Sequence, residues 1–171
     1  MKVFLVAGKA GSGKNEVANI IKKYLPDTVI TSLSKYIKLF ALELTDWDGR
    51  DFNKPRAFLQ NMGDILREID EDFLVRRMKE DFFVYNKLAI ENVVIDLRLR
   101  HEIEYFKQIE DLEVITIYVS SSSNVRDLSD EEKNHHTEVD LDNYEGFDYV
   151  IDNKFDDTLE KDVIKILEGM K

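Results

Sequence analysis

The sequence predicts an α/β domain in which a parallel sheet is covered by helices on both faces. Apolar runs of strand length alternate with segments of helical periodicity along the 171 residues, and this order is typical of strand–helix–strand units. The run at 92–96 is apolar at consecutive positions and ends in Asp96, as expected for a strand buried on both faces. A glycine-rich turn at 8–15 joins the first strand to the first helix.

The elements follow one another in a regular order. Strands are predicted at 2–7, near 28–31, at 92–96, at 113–119 and near 148–151. Helices are predicted at 13–24, 35–44, 72–86, 100–109 and 156–169, with one more that follows a polar loop at 45–53. Asn53 is expected to cap that helix, and Pro55 fits its first turn. Ligands of parallel sheets bind beyond the carboxyl ends of the strands, where the turn at 8–15, Asp96 and the polar segment 120–137 all fall.

Composition sets limits on the class of protein. The length suits one domain with its own core. The net charge of −11 argues against nucleic acid or an anionic membrane surface as the main partner. The chain has no cysteine, which excludes disulfides and thiolate chemistry. No apolar stretch is long enough to span a bilayer and the N-terminus lacks the features of a signal peptide, so we expect a cytoplasmic protein.

The glycine-rich turn has the spacing of a phosphate-binding loop. It reads Gly8, Lys9, Ala10, Gly11, Ser12, Gly13, Lys14, Asn15. Glycines let the backbone curl so that N–H groups face a phosphate, and the next helix adds its positive N-terminal end. Lys14 would reach the β- and γ-phosphates of a nucleotide. A chance glycine turn is the alternative, but the position between a strand and a helix favours a nucleotide site.

Two features bear on metal and phosphate binding. Asn15 stands where such loops usually have Ser or Thr, and its amide oxygen could bind Mg²⁺ or a metal-bound water. Asp96 ends an apolar strand in the manner of a Walker B carboxylate, which holds Mg²⁺ or orients the attacking oxygen. Arg98 follows and suits bidentate contact with phosphate. An ordinary strand-end Asp and a solvated Arg are the alternatives.

The helix after Pro55 carries a polar stripe beside its apolar one. Arg56, Gln60 and Arg67 stand at steps of four and seven along this helix, so they share a face. Such a face could grip a phosphorylated acceptor, or it could simply be solvated. The stripe therefore marks a candidate acceptor site.

Two other motifs are weak. Residues 153–156 spell Asn-Lys-Phe-Asp, the guanine-reading motif of GTPases, but the Asp-x-x-Gly that such proteins need after the buried strand is missing. His135 and His136 are adjacent, so on a regular element their side chains would diverge. With no partner cluster in the sequence, they are poor metal ligands. Neither motif supports a function by itself.

With these residues in place, the chain resembles phage deoxynucleoside monophosphate kinases and animal-type phosphomevalonate kinases. The resemblance is carried by five patches of sequence. They are the loop 8–15, the turn 33–38, the helix 56–67, the Asp-x-Arg at 96–98 with Glu102, and the closing segment of 135–138, 141–143 and 149–153.

The resemblance implies the fold of P-loop NTPases, a three-layer αβα sandwich with a doubly wound, mainly five-stranded parallel sheet. The chain would be one kinase domain over 1–171, with an acceptor-binding helical region at about 34–86 and a small lid at about 120–137. Arg126 and Lys133 could supply cations from that lid. The reaction would be transfer of the γ-phosphoryl group of ATP, with Mg²⁺, to a phosphate-bearing acceptor.

The resemblance also implies roles for named residues. Lys14, Asp96 and Arg98 would be catalytic, residues 8–15 would bind ATP, and Asn15 with Asp96 would hold the metal. The acceptor would be bound by Ser34, Lys38, Arg56, Gln60, Arg67, Thr137 and Glu138. The expected acceptor is a ribo- or deoxyribonucleoside monophosphate, and the expected assembly a monomer or homodimer. A phosphomevalonate-type acceptor, or a nucleotide sensor without turnover, remains the alternative.

Overall fold

Five strands form one sheet in which every neighbouring pair is parallel. They are β1 (Lys2–Ala7), β2 (Thr28–Ser32), β3 (Asn92–Asp96), β4 (Glu113–Ser120) and β5 (Tyr149–Asp152). The spatial order is β2-β3-β1-β4-β5. The structure is a computed structural model and describes residues 1–121 and 135–170. The parallel pairing of all neighbouring strands confirms the predicted parallel sheet.

Seven helices are found in the described part of the chain. They are α1 (Lys14–Tyr24), α2 (Lys35–Leu44), α3 (Arg56–Ile69), α4 (Phe73–Lys87), α5 (Arg100–Lys107), the short α6 (His136–Val139) and α7 (Thr158–Gly169). No described helix is both long and apolar enough to cross a membrane.

The sheet is buried on both faces, and β1 shows why. Its side chains alternate between the faces, so that Val3 and Leu5 pack with α4 and α5 while Phe4 and Val6 pack with α1 and α7. All four of these side chains are at most 1% exposed. Consecutive apolar residues are what a strand between two helical layers requires. The result is the predicted three-layer αβα sandwich.

The strand order places a topological switch at the carboxyl end of β1. The chain leaves β1 toward β2 and later crosses from β3 to β4, on the other side of β1. Asp96, at the end of β3, is in register with Val6 of β1 and with Ser32 of β2. Ligands of doubly wound sheets bind in the crevice at this point. The loop 8–15 begins there.

Two sequence predictions concern the start of α3 and the segment 120–137. Asn53 does not cap α3: the helix begins at Arg56, with Pro55 at its N-cap position and no side-chain cap. The proline occupies the position where the capping side chain would have to stand, so the cap prediction is wrong. The predicted lid at 120–137, with Arg126 and Lys133, lies largely outside the described residues.

Candidate functional site

The loop 8–15 is shaped by backbone that only glycine adopts readily. Gly8, Gly11 and Gly13 have φ of +144°, +84° and +100°, in the region that side chains with a Cβ avoid. A Cβ on Gly8 would lie 2.3 Å from the Val119 carbonyl oxygen, and one on Gly13 would lie 2.1 Å from Asn153 Nδ2. Gly8 and Gly13 are therefore required both by conformation and by space, and Gly11 by conformation.

Asn153 fixes the loop from the end of β5. Its side-chain nitrogen donates to the Ser12 carbonyl at 2.9 Å, and its oxygen accepts from the Phe155 amide at 2.8 Å. The side chain is 1% exposed, and the bond to the Ser12 carbonyl is made away from water. This structural role accounts for the Asn of the guanine-like motif at 153–156.

Lys14 lies at the mouth of the loop beside Asp96. Its ammonium donates to the Gly8 carbonyl at 2.7 Å and to the Lys9 carbonyl at 3.0 Å, and it lies 3.9 Å from Asp96 Oδ1. Asp96 Oδ1 and Ser12 Oγ are buried with no hydrogen-bond partner among the described residues. Buried polar atoms are seldom left so. Such atoms beside a curled loop fit a site for phosphate and a hydrated cation.

The oxygen donors predicted for the metal share one cavity. Asn15 and Asp96 line it together with Lys14 and Ser32. A carboxylate and an amide oxygen are the ligands Mg²⁺ takes in proteins, usually with several waters. The residues present therefore fit Mg²⁺ carried in with a nucleotide.

A second pocket opens on the other side of Asp96. It is formed by the start of α2, the first three turns of α3, the end of β3 and α6. All seven side chains predicted to bind the acceptor line it, together with Asp96 and Arg98: Ser34, Lys38, Arg56, Gln60, Arg67, Thr137 and Glu138. We call this the acceptor pocket. It shares Lys38 and Asp96 with the cavity beside Lys14, so the two cavities adjoin.

The acceptor pocket includes one cation that sequence reasoning missed. Lys54 lies in the loop before α3 and lines the pocket. Burial lowers the pKa of Lys54 to about 8, assisted by the positive charges of Lys38, Arg56 and Arg98 and opposed by Asp51. Its side chain is 21% exposed and 3.9 Å from the Asp51 carboxylate. No local pattern marks Lys54, because its burial depends on the neighbouring helices.

Two carboxylates hold two of the pocket's arginines. Glu102 is 1% exposed and accepts from Arg67 Nη2 at 2.9 Å and from the Arg98 and Leu99 amides at 3.0 and 3.1 Å. Glu138 accepts from the Arg98 guanidinium and, at 3.0 Å, from the loop amide of Ala10. Glu138 therefore connects Arg98 to the loop at 8–15. As a carboxylate it would orient Arg98 rather than bind the phosphate of an acceptor directly.

The structure overturns one sequence interpretation. His135 and His136 do not diverge: both Nε2 atoms approach the Asp64 carboxylate, at 3.0 and 2.7 Å. The interpretation assumed one regular element, whereas His135 precedes α6 in extended conformation and His136 is its first residue. Asp64 is 71 residues away from His135, so only the fold reveals the cluster.

Comparison with solved structures finds kinases of similar fold. The shikimate kinase of Aquifex aeolicus is 18% identical with a TM-score of 0.51, the alignment covering 99% of this chain and 97% of that one. The Acinetobacter baumannii shikimate kinase, solved with shikimate, is 12% identical with a TM-score of 0.53, covering 99% and 92%. A sugar kinase from Janibacter sp. HTCC2649 is 10% identical with a TM-score of 0.50, covering 98% and 95%.

These likenesses establish the fold of P-loop kinases for this chain. No family model matches the sequence, and no curated protein matches it. The resemblance to phage deoxynucleoside monophosphate kinases and phosphomevalonate kinases thus rests on the motifs alone. The named structural neighbours differ in their acceptors, so the fold leaves the acceptor to be argued from the pocket.

The buried carboxylate of Glu102 gives a direct stability test. We expect Glu102→Ala to lower the free energy of unfolding by about 3 kcal/mol, because the largely buried Arg67 would keep only the more distant Asp64 and the Arg98 and Leu99 amides would lose their acceptor. Urea unfolding followed by circular dichroism measures this loss. The control is Glu110→Ala, at an exposed position, for which we expect a change within about 0.5 kcal/mol. Equal free energies of unfolding for the two variants would contradict a stabilising role for the Glu102 carboxylate.

Proposed function

We propose that the protein is a kinase that transfers the γ-phosphoryl group of ATP to a small phosphate-bearing acceptor, with Mg²⁺. The main support is the charge of the acceptor pocket. Five cations and three carboxylates line it, in a chain whose net charge is −11. Among the described residues, Lys38 and Arg56 have no carboxylate partner, and Lys54 has only the distant Asp51. Unpaired cations this close together repel one another, and a bound phosphate would relieve that repulsion. The cluster therefore fits a phosphate-bearing acceptor better than a neutral one.

The proposed roles follow from the contacts. The loop amides hold the β-phosphate, and Lys14 leaves its carbonyl partners to stabilise the transferring group. An oxygen of the acceptor phosphate attacks the γ-phosphorus, and the bond to the β–γ bridging oxygen breaks to release ADP. Arg98, held by Glu138, faces the developing charge. Asn15 and Asp96 would hold Mg²⁺ carried in with ATP, and the ion would neutralise charge on the phosphates.

The body of the acceptor would rest on the apolar side of the pocket. That wall is formed by Leu33, Ile37, Leu59, Leu74 and Leu97. Gln60 also lines the pocket, and its side-chain amide can offer both a donor and an acceptor to the edge of a base. These features favour a ribo- or deoxyribonucleoside monophosphate. Phosphomevalonate, which has a phosphate but no base, is the alternative within the same reaction.

The first experiment follows ADP release from ATP and Mg²⁺ with a panel of acceptors. The panel holds ribo- and deoxyribonucleoside monophosphates, phosphomevalonate and, as an acceptor without phosphate, shikimate. We expect turnover with one nucleoside monophosphate and a loss of at least 1,000-fold in kcat for Lys14→Ala, on the order expected when a phosphoryl-stabilising cation is removed. Lys22→Ala, at an exposed position on α1, should keep full activity.

The panel separates the alternatives. Turnover with shikimate alone would overturn the proposal that the acceptor bears a phosphate. ATP binding without turnover on any acceptor would favour a nucleotide sensor. Thermal melting of Lys14→Ala, with and without ATP, shows whether the variant is folded and so whether its loss of activity is chemical.

The lowered pKa of Lys54 predicts a pH dependence. Lys54 must carry its proton to attract phosphate, and that proton leaves as the pH rises through about 8. We therefore expect kcat/KM for the acceptor to fall by up to about tenfold as the pH rises through about 8, since this parameter reports groups of the enzyme form that binds the acceptor. Lys54→Arg keeps its charge at these pH values and should remain level to pH 9.5. Parallel profiles for the two proteins would exclude this role for Lys54.

A further inference from the structure

A cluster of two imidazoles and a carboxylate lies outside the acceptor pocket and the nucleotide loop. His136 Nε2 is 2.7 Å from Asp64 Oδ1, and His135 Nε2 is 3.0 Å from Asp64 Oδ2. One ligand atom from each of the three residues lies within 4.8 Å of the others. In the described part of the chain this is the one group of three such side chains to meet that distance.

The two histidines converge because the backbone bends between them. His135 has φ −59° and ψ 138°, and His136 begins α6. The rings stack with their centroids 4.6 Å apart and their planes at 38°. Both Nε2 atoms are thereby aimed at one carboxylate on α3. Adjacent side chains on one regular element could not do this.

The distances are close to those of a metal site. Zn²⁺ binds imidazole nitrogen and carboxylate oxygen at about 2.0–2.2 Å in tetrahedral geometry, which places neighbouring ligand atoms roughly 3.3 Å apart. The contacts of His135 Nε2 and His136 Nε2 with Asp64 are about 0.3 and 0.6 Å shorter than this spacing, and they reach different oxygens of the carboxylate. Imidazole with carboxylate suits Zn²⁺, Co²⁺ or Ni²⁺ rather than Mg²⁺. His136 is half exposed, which leaves room for water as a fourth ligand.

One ligand also has an outer partner. His135 Nδ1 lies 2.9 Å from the Thr137 hydroxyl, which can accept a hydrogen bond from Nδ1–H in the tautomer that leaves the Nε2 lone pair for a metal. In the other tautomer Nδ1 accepts a hydrogen bond from the Thr137 amide, at 3.4 Å. Histidine ligands in proteins commonly have such a partner on the other ring nitrogen. Arg67 Nη1 lies 3.9 Å from Asp64 Oδ1, and its positive charge opposes cation binding, so the imidazole nitrogens must supply most of the affinity for the ion.

We propose that Asp64, His135 and His136 form a binding site for a divalent transition-metal ion, with Zn²⁺ the best match, and that the ion fastens α6 to α3. α6 carries Thr137 and Glu138, which line the acceptor pocket. By holding α6 in place, the ion would therefore fix the wall of the pocket that contains Thr137 and Glu138. This site is separate from the Mg²⁺ of the proposed reaction and does not depend on it.

The test is a calorimetric titration of the full-length, chelator-treated protein with Zn²⁺, in millimolar Mg²⁺ and without nucleotide. We expect one Zn²⁺ per chain. Asp64→Asn and His136→Ala should each weaken binding at least tenfold. The chain has three histidines, so His101→Ala is the matched control and should bind as the wild type does. Co²⁺ should give visible absorption bands typical of a tetrahedral site, and these should be lost in His136→Ala.

Thermal melting of each variant without metal establishes that it is folded. His136→Gln is a second variant at this position, and it keeps a polar side chain there. Zn²⁺ should raise the melting temperature of the wild type and of His101→Ala but not of the variants at Asp64 and His136. The proposal is overturned if the wild type binds no Zn²⁺, or if Asp64→Asn and His136→Ala bind it as tightly as the wild type. Hydrogen bonds alone would then join the histidines to Asp64.

Discussion

The buried carboxylate of Glu102 is the point on which the acceptor pocket depends. One oxygen pairs with Arg67 of α3, and the other accepts the backbone amides of Arg98 and Leu99 at the start of α5. A single side chain thus joins the wall of the pocket to the end of the central sheet. Because charge buried at 1% exposure is tolerated only when paired, the sequence must supply Glu102 and Arg67 together.

The site reverses the electrostatic character of the chain within a small volume. The protein is strongly acidic, yet its amides and cations gather where β1 and β3 end. Lys14 is held by the loop's own carbonyls and lies near Asp96, while Arg98 is held by Glu138. Two cations are thus held by neighbouring groups, and Lys38, Lys54 and Arg56 supply the excess positive charge. Local placement, rather than net charge, determines which ligand such a protein attracts.

The sequence predicted what depends on local patterns. Buried parallel strands appear as continuous apolar runs and the glycine loop has its own spacing, so the fold and the edge bearing the site followed from short segments. What it missed depends on distant contacts. The pairing of Arg67 with Glu102 spans 35 residues, the histidines meet Asp64 across 71 or more, and the burial of Lys54 comes from its neighbours. The prediction that Asn53 caps α3 failed because Pro55 occupies the N-cap position of that helix.

The proposed reaction forms a bond between the γ-phosphorus of ATP and an oxygen of an acceptor phosphate. Phosphorus NMR of the protein with ATP, Mg²⁺ and a nucleoside monophosphate observes that bond directly. We expect the ATP resonances to convert to those of ADP while the acceptor singlet is replaced by the coupled doublets of a diphosphate. Conversion of ATP to ADP and inorganic phosphate with the acceptor unchanged, or transfer to a hydroxyl as a monoester, would contradict the proposed reaction.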